Sequence, residues 1–266
     1  MGRWLSIVVG FLAVLAAPAA VAQPPPRSIF NDWTAIVVAG DWRAHSGGPT
    51  EAFDNARRDV AATLEGLGFA RDEIVQFSTR PERYPDTRPA RTEAPALVQA
   101  LHAGAARKTG GCLVYYTSHG APPGVVLDVR GDGGLYTPQA LARLVNDTCP
   151  DRPTIVIISA CFSGVFIPVL ANDQRLILTA ARPDRASFGC SESDHYPFFD
   201  DCFLQSVEGS RNFAMLGQQI QACVGRKERE LNLTPASEPQ VWIGARLRPI
   251  LPLWSFPPGA KAVRRE

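Results

Sequence analysis

Thr154-Ile155-Val156-Ile157-Ile158-Ser159-Ala160-Cys161-Phe162-Ser163-Gly164 runs from an apolar stretch into a cysteine and then into turn-forming residues. A short, nearly continuous apolar run of this kind predicts a strand buried on both faces, as found in parallel sheets. Working outward, Trp33 to Gly40, Cys112 to Ser118 and Arg175 to Ala180 have the same character, and Glu73 to Phe77 is a shorter strand. Between them lie helical patterns. Glu51 to Gly68 carries Phe53, Ala56, Val60, Leu64 and Leu67 at helical spacing before a glycine stop, and Glu93 to Lys108 and Pro138 to Asn146 follow. Gly124 to Val129 and Gly134 to Tyr136 flank Arg130-Gly131-Asp132-Gly133 as a hairpin. Helices over Phe198 to Ser206 and Asn212 to Glu230 precede a last strand at Gln240 to Ala245. Alternating strands and helices imply an α/β fold with a mostly parallel sheet covered on both faces. In such sheets active groups gather at the carboxyl ends of strands. Two strand ends qualify, Ser118-His119-Gly120 and Ala160-Cys161-Phe162.

Composition bounds the function only loosely. The 266 residues are 45% hydrophobic and 20% charged, as in ordinary globular proteins. A formal net charge of +1 provides no field that would gather nucleic acid or acidic lipid. The amino terminus is more specific. Arg3 precedes an apolar run from Leu5 to Ala17, and Ala20-Val21-Ala22 offers small residues for signal-peptide cleavage after Ala22. The expectation is export to the periplasm or medium, with no stable membrane association once the signal is removed. The expected organisation is a signal peptide over residues 1–22, a proline-rich linker over 23–32, one folded domain over 33–246 and a poorly ordered tail over 247–266. No oligomeric state is indicated.

Export permits disulfides among Cys112, Cys149, Cys161, Cys190, Cys202 and Cys223. With Cys161 kept free for chemistry, a second cysteine must also stay unpaired. Cys112, inside an apolar run, is assigned that place as a buried small hydrophobe. The expected pairs are then Cys190–Cys202 and, by elimination, Cys149–Cys223. No spacing resembles a zinc site: there is no C-x-x-C and no paired histidine.

Cys161 emerges from its strand where its thiolate would meet a substrate carbonyl, and a cysteine needs a nearby base to be a nucleophile at neutral pH. His119 ends a second buried strand and supplies one. Gly120 lets a substrate backbone approach closely, and its N–H, like those of Phe162 to Gly164, is a candidate oxyanion donor.

Tyr116-Thr117-Ser118-His119-Gly120 and Ser159-Ala160-Cys161-Phe162-Ser163-Gly164 resemble the histidine and cysteine motifs of the legumain family of caspase-like cysteine peptidases. Leu178 to Cys190 resembles that family's substrate-loop strand, and Ser237-Glu238-Pro239-Gln240 resembles a feature of its bacterial members. The resemblance covers Trp33 to Ala245. It implies a caspase-like three-layer α/β/α sandwich and an endopeptidase with Cys161 as nucleophile and His119 as general base, acting on peptide or protein substrates with no metal or organic cofactor in the chemical step; the expected signal peptide makes it an exported one. Transamidation or ligation through the same acyl-enzyme is an alternative, as is a catalytically silent caspase-like binding module.

Two departures stand out. Legumains place a glutamate after the cysteine, where this chain has Phe162, and a Ser-Asn after the first strand, where it has Asp41. Asp41 either orients the imidazole or caps a loop. For recognition of asparagine or aspartate before the scissile bond, the resemblance points to Asp201 and to Arg57 or Arg58. Arg185 and Ser187 are candidate contacts from the substrate loop.

Overall fold

A computed structural model describes residues 1–2, 28–127 and 134–265. In chain order the elements are β1 (Trp33–Ala39), α1 (Ala52–Gly66), β2 (Ile74–Ser78), β3 (Ala90–Arg91), α2 (Ala94–Arg107), β4 (Gly111–Thr117), β5 (Gly120–Ala121), β6 (Gly124–Leu127), β7 (Gly134–Tyr136), α3 (Pro138–Thr148), β8 (Thr154–Ser159), α4 (Ile167–Leu170), β9 (Arg175–Thr179), α5 (Phe198–Ser206), α6 (Phe213–Glu230) and β10 (Gln240–Ile243). Among the described residues, seven strands form one sheet in the order β10-β9-β8-β4-β1-β2-β3. All neighbours in it are parallel except β10 against β9.

The unbroken apolar runs have a simple cause. In β1, Ala35 and Val37 pack toward α1, α5 and α6, while Ile36 and Val38 pack toward α2 and α3. Both faces of the strand are therefore dry, and no polar alternation survives. The result is the expected three-layer sandwich. The hairpin is also present as the antiparallel pair β6 and β7, although its turn at 128–133 lies outside the described residues. β3, inside a segment rich in proline and arginine, and the two-residue β5 are too short to show any periodicity.

One register positions the site. β4 and β8 are adjacent and parallel, with Cys112 opposite Thr154 and Thr117 opposite Ser159. His119 and Cys161 each follow the last of these pairs by two residues. Side-by-side emergence is therefore set by the ladder.

The disulfides differ from the expected ones. Cys112 pairs with Cys149 and Cys202 with Cys223, leaving Cys161 and Cys190 free. Cys112 sits at the start of β4, and Cys149 ends α3 just before the neighbouring β8, so their Cα atoms lie 6.5 Å apart. Cys202 and Cys223 face each other across the packed α5 and α6, with Cα atoms 5.6 Å apart. An apolar setting does not exclude a bridge when the partner is carried by the next layer.

The chain ends are corrected too. Phe30, expected in the linker, is fully buried in a one-turn helix over Ile29–Asp32. The expected loose tail packs onto the same layer. Phe256 stacks edge-on against Phe213 at 5.0 Å, and Trp254 lies 5.6 Å from Trp33. Val263 donates its N–H to Thr63 on α1 at 2.9 Å. Aromatic burial outweighs the local disorder that the prolines suggest. The expected signal peptide, residues 1–22, lies outside the described residues apart from the first two positions.

Candidate active site

His119 stands in the loop after β4 and is half-buried, with its ring between Phe53 edge-on at 5.0 Å and His45 at 4.5 Å. Its Nε2 lies 2.7 Å from the carbonyl oxygen of Arg43. A carbonyl only accepts, so Nε2 carries the proton and Nδ1 holds the lone pair. Nδ1 is buried and has no hydrogen-bond partner among the described residues. Burial, the largest influence, pushes the imidazole's pKa below the ordinary histidine value. The Arg43 carbonyl and Asp41 oppose that shift, and neighbouring His45 adds to it.

Asp41 acts one step back from the ring. Its Oδ1 accepts the N–H of Trp42 at 2.7 Å and of Arg43 at 3.1 Å, along with the Arg43 guanidinium at 3.3 Å. It thus caps the turn that presents the Arg43 carbonyl to Nε2. Of the two expected roles the geometry fits loop capping, and orientation of the ring follows through Arg43.

Cys161 is buried, and its sulfur is flanked by Ser187. The Ser187 N–H donates to Sγ at 3.2 Å, and the Ser187 carbonyl oxygen and hydroxyl lie at 3.5 and 3.6 Å. An N–H aimed at the sulfur stabilises negative charge there. Immediately afterwards Phe162 adopts the left-handed region at φ 57°, ψ 13°, uncommon for a bulky side chain and costing about 1 kcal/mol. Its N–H donates to the Arg185 carbonyl at 2.8 Å, so this donor is already taken. Phe162 therefore holds the turn behind Cys161 and is not among the residues that line the cleft described below. Arg185 contributes its backbone in the same way, while its guanidinium pairs with Asp184.

Gly120 faces Cys161 at close quarters. A Cβ placed on it would stand 2.1 Å from the Cys161 carbonyl oxygen and 3.0 Å from the Ala160 Cβ. Only a glycine permits this approach.

A cleft of ≈ 770 Å³ opens beside the sulfur through Ser187, lined by residues 44–46 and 186–194. It contains two carboxylates and no lysine or arginine. Glu192 accepts the Ser46 hydroxyl at 2.5 Å, and Asp194 accepts the Ser191 N–H at 2.7 Å. Cys190, the other free thiol, also lines it, with its pKa raised by burial. Among the described residues no group of three or more His, Cys, Asp or Glu side chains is placed to hold a metal ion.

The residues expected to read the substrate side chain lie elsewhere. Asp201 points to the far side of α5, where it pairs with Lys227 and Arg264 and accepts from Gln205 at 2.8 Å. Arg57 is fully buried, donating to Asp54 at 2.8 Å and to Gln76 at 2.5 Å, with its guanidinium 4.9 Å from the Tyr84 ring. Arg58 pairs with Asp59. These charges build the helix layer.

Asp200, next to the residue singled out, is fully buried beneath the site. Tyr115 donates to its Oδ1 at 2.5 Å, and Thr117 and Ser159 each donate to Oδ2 at 2.8 Å. Burial raises its pKa to about 7 against the pull of those three hydroxyls. A legible signal existed, since Tyr115, Thr117 and Ser159 are hydroxyls in buried strands and need a partner. His45 gave no such signal, being a lone histidine in a loop rich in glycine and proline.

Residues 105–220 match the model of the Peptidase C13 family. That segment contains His119, Gly120, Cys161, Ser187 and Asp200. No curated protein sequence matches the chain. Among solved structures, caspase-1 from Spodoptera frugiperda aligns with a TM-score of 0.56 at 16% sequence identity, covering 87% of this chain and 94% of that one. At that identity the likeness speaks to the fold.

Proposed function

We propose that this chain, whose residues 105–220 match the model of the Peptidase C13 (legumain) family and whose fold is caspase-like, is an exported cysteine endopeptidase whose nucleophile is Cys161 and whose general base is His119. The observation that supports this is the pairing of Thr117 with Ser159, which sets His119 and Cys161 two residues beyond neighbouring strand ends, combined with an imidazole whose unpaired nitrogen is Nδ1. Nδ1 takes the thiol proton as Sγ attacks the scissile carbonyl. The Ser187 N–H steadies the charge on sulfur, and the tetrahedral oxyanion faces the N–H of Gly120. His119 then returns the proton to the leaving amine, giving an acyl-enzyme on Cys161 that water hydrolyses. The two disulfides support export, because they persist in oxidising compartments.

Labelling the mature protein with a thiol-directed acyl probe tests this. The wild type should be modified at Cys161 and the Cys161→Ala variant should not, since the other free thiol, Cys190, is buried and held protonated. Equal labelling of both proteins would end the proposal.

Substrate preference follows from the cleft beside Ser187. Glu192 and Asp194 would repel an aspartate before the scissile bond, whereas the amide of an asparagine donates hydrogen bonds to them. The proposal is therefore asparagine in preference to aspartate, by at least about tenfold in kcat/KM at neutral pH. Cleavage profiling of a peptide library reads this directly, and equal or better turnover of aspartate would refute it.

A further inference from the structure

We propose that Asp200 is a positioning residue of this peptidase, clamping β4 to β8 from beneath and so fixing the separation of His119 and Cys161. The inference rests on the Cys161–His119 assignment above. Asp200 projects from α5 into the layer below the sheet, where one carboxyl group binds three hydroxyls from two strands. Thr117 lies two residues before His119 and Ser159 two before Cys161, and these two donate to the same oxygen. In a strand, residues two apart face the same way. The clamp therefore grips each strand at the last pair of the ladder, immediately before the chain leaves the sheet for the active site. Beyond that pair the backbone bond nearest the site is Ser118 N–H to the Ser159 carbonyl at 3.1 Å, and the ladder then gives way to β5 on one side and the turn at Phe162 on the other. A carboxyl group shared by both strands resists their sliding or splaying where an ångström matters. Purely structural filling of this space needs no polar atom, since the surroundings are Phe203 and other apolar groups of the same layer.

The test is steady-state kinetics per titrated Cys161 thiol on folded variants. Asp200→Ala should lower kcat on the order of 10²-fold with KM within about threefold of wild type. Asp200→Asn keeps the shape and hydrogen-bonding capacity and should recover most of that loss. The Ser159→Ala and Thr117→Val pair carries the test if Asp200→Ala does not fold. Each should lower kcat, and the double variant should lose less than the product of the two, because both act through one oxygen. Unchanged kcat per titrated site in Asp200→Ala, or strictly independent effects of Ser159→Ala and Thr117→Val, would overturn the proposal. Failure of the underlying assignment looks different: Cys161→Ala would then remain active whatever Asp200 does.

Discussion

Replacing His119 with alanine is expected to lower kcat/KM for peptide hydrolysis by about 10²- to 10⁴-fold while leaving the far-UV circular dichroism spectrum unchanged. The ring lies in a loop after β4 and supports no strand of the sheet, so the fold does not depend on it. Its contribution is the Nδ1 lone pair; the sulfur's own hydrogen-bonding neighbours among the described residues are the N–H, carbonyl and hydroxyl of Ser187. Hydrolysis at the wild-type rate by the variant would remove His119 from the mechanism. The pH profile of the wild type carries the same argument further. Charging the imidazole abolishes the base, and burial penalises the charged form, so protonation occurs only below the ordinary histidine value of about 6.5. The neutral base therefore persists into mildly acidic solution, and kcat/KM should be lost as pH falls through that lowered value. An acid limb at or above 6.5 would show that the ring is not desolvated in the working enzyme.

The neighbouring placement of His119 and Cys161 was legible because two independent regularities met on it. β8 is predicted as Thr154–Ser159 and found there, and the run ending at Ser118 is β4 displaced by one residue. Continuous apolar runs force neighbouring parallel strands, and parallel neighbours bring their carboxyl ends together. What sequence could not supply was direction within a helix or contact between layers. Asp200 and Asp201 are adjacent on α5 and about 100° apart around its axis, so one is buried under the sheet and the other pairs with Lys227 and Arg264. Nothing in their neighbourhood alone says which is which. The disulfides failed for a related reason. Elimination treated Cys112 as inert because its strand is apolar, yet the layer above carries Cys149. The C-terminal segment was misjudged because its prolines are a local property, whereas Phe256 and Trp254 are held by Phe30, Phe213 and Trp33 from distant parts of the chain.

Gly120→Ala is the second substitution with a large expected effect, and its cause is steric where that of His119→Ala is chemical. The added methyl would stand 2.1 Å from the Cys161 carbonyl oxygen, well inside van der Waals contact, and the obstacle is backbone that cannot rotate away. Relief requires the Gly120 segment or the Cys161 turn to move by about 1 Å, which at a catalytic centre is worth on the order of 10²-fold in rate. The turn cannot yield freely, because Phe162 already sits in the left-handed region and its N–H is tied to Arg185. The strand cannot yield freely either, because the Val126 N–H holds the His119 carbonyl at 2.9 Å. The loss should therefore appear chiefly in kcat, with the Gly120 N–H displaced from the oxyanion. Gly66→Ala is the matched control. It adds the same methyl at the end of α1, where the nearest atom is the Lys261 carbonyl at 3.4 Å, an ordinary contact. Alanine favours a helix over glycine by up to about 1 kcal/mol, so this variant should keep wild-type kcat. If Gly120→Ala also keeps wild-type kcat, the close approach of Gly120 to Cys161 is not what the reaction requires, and the oxyanion donor must be sought elsewhere.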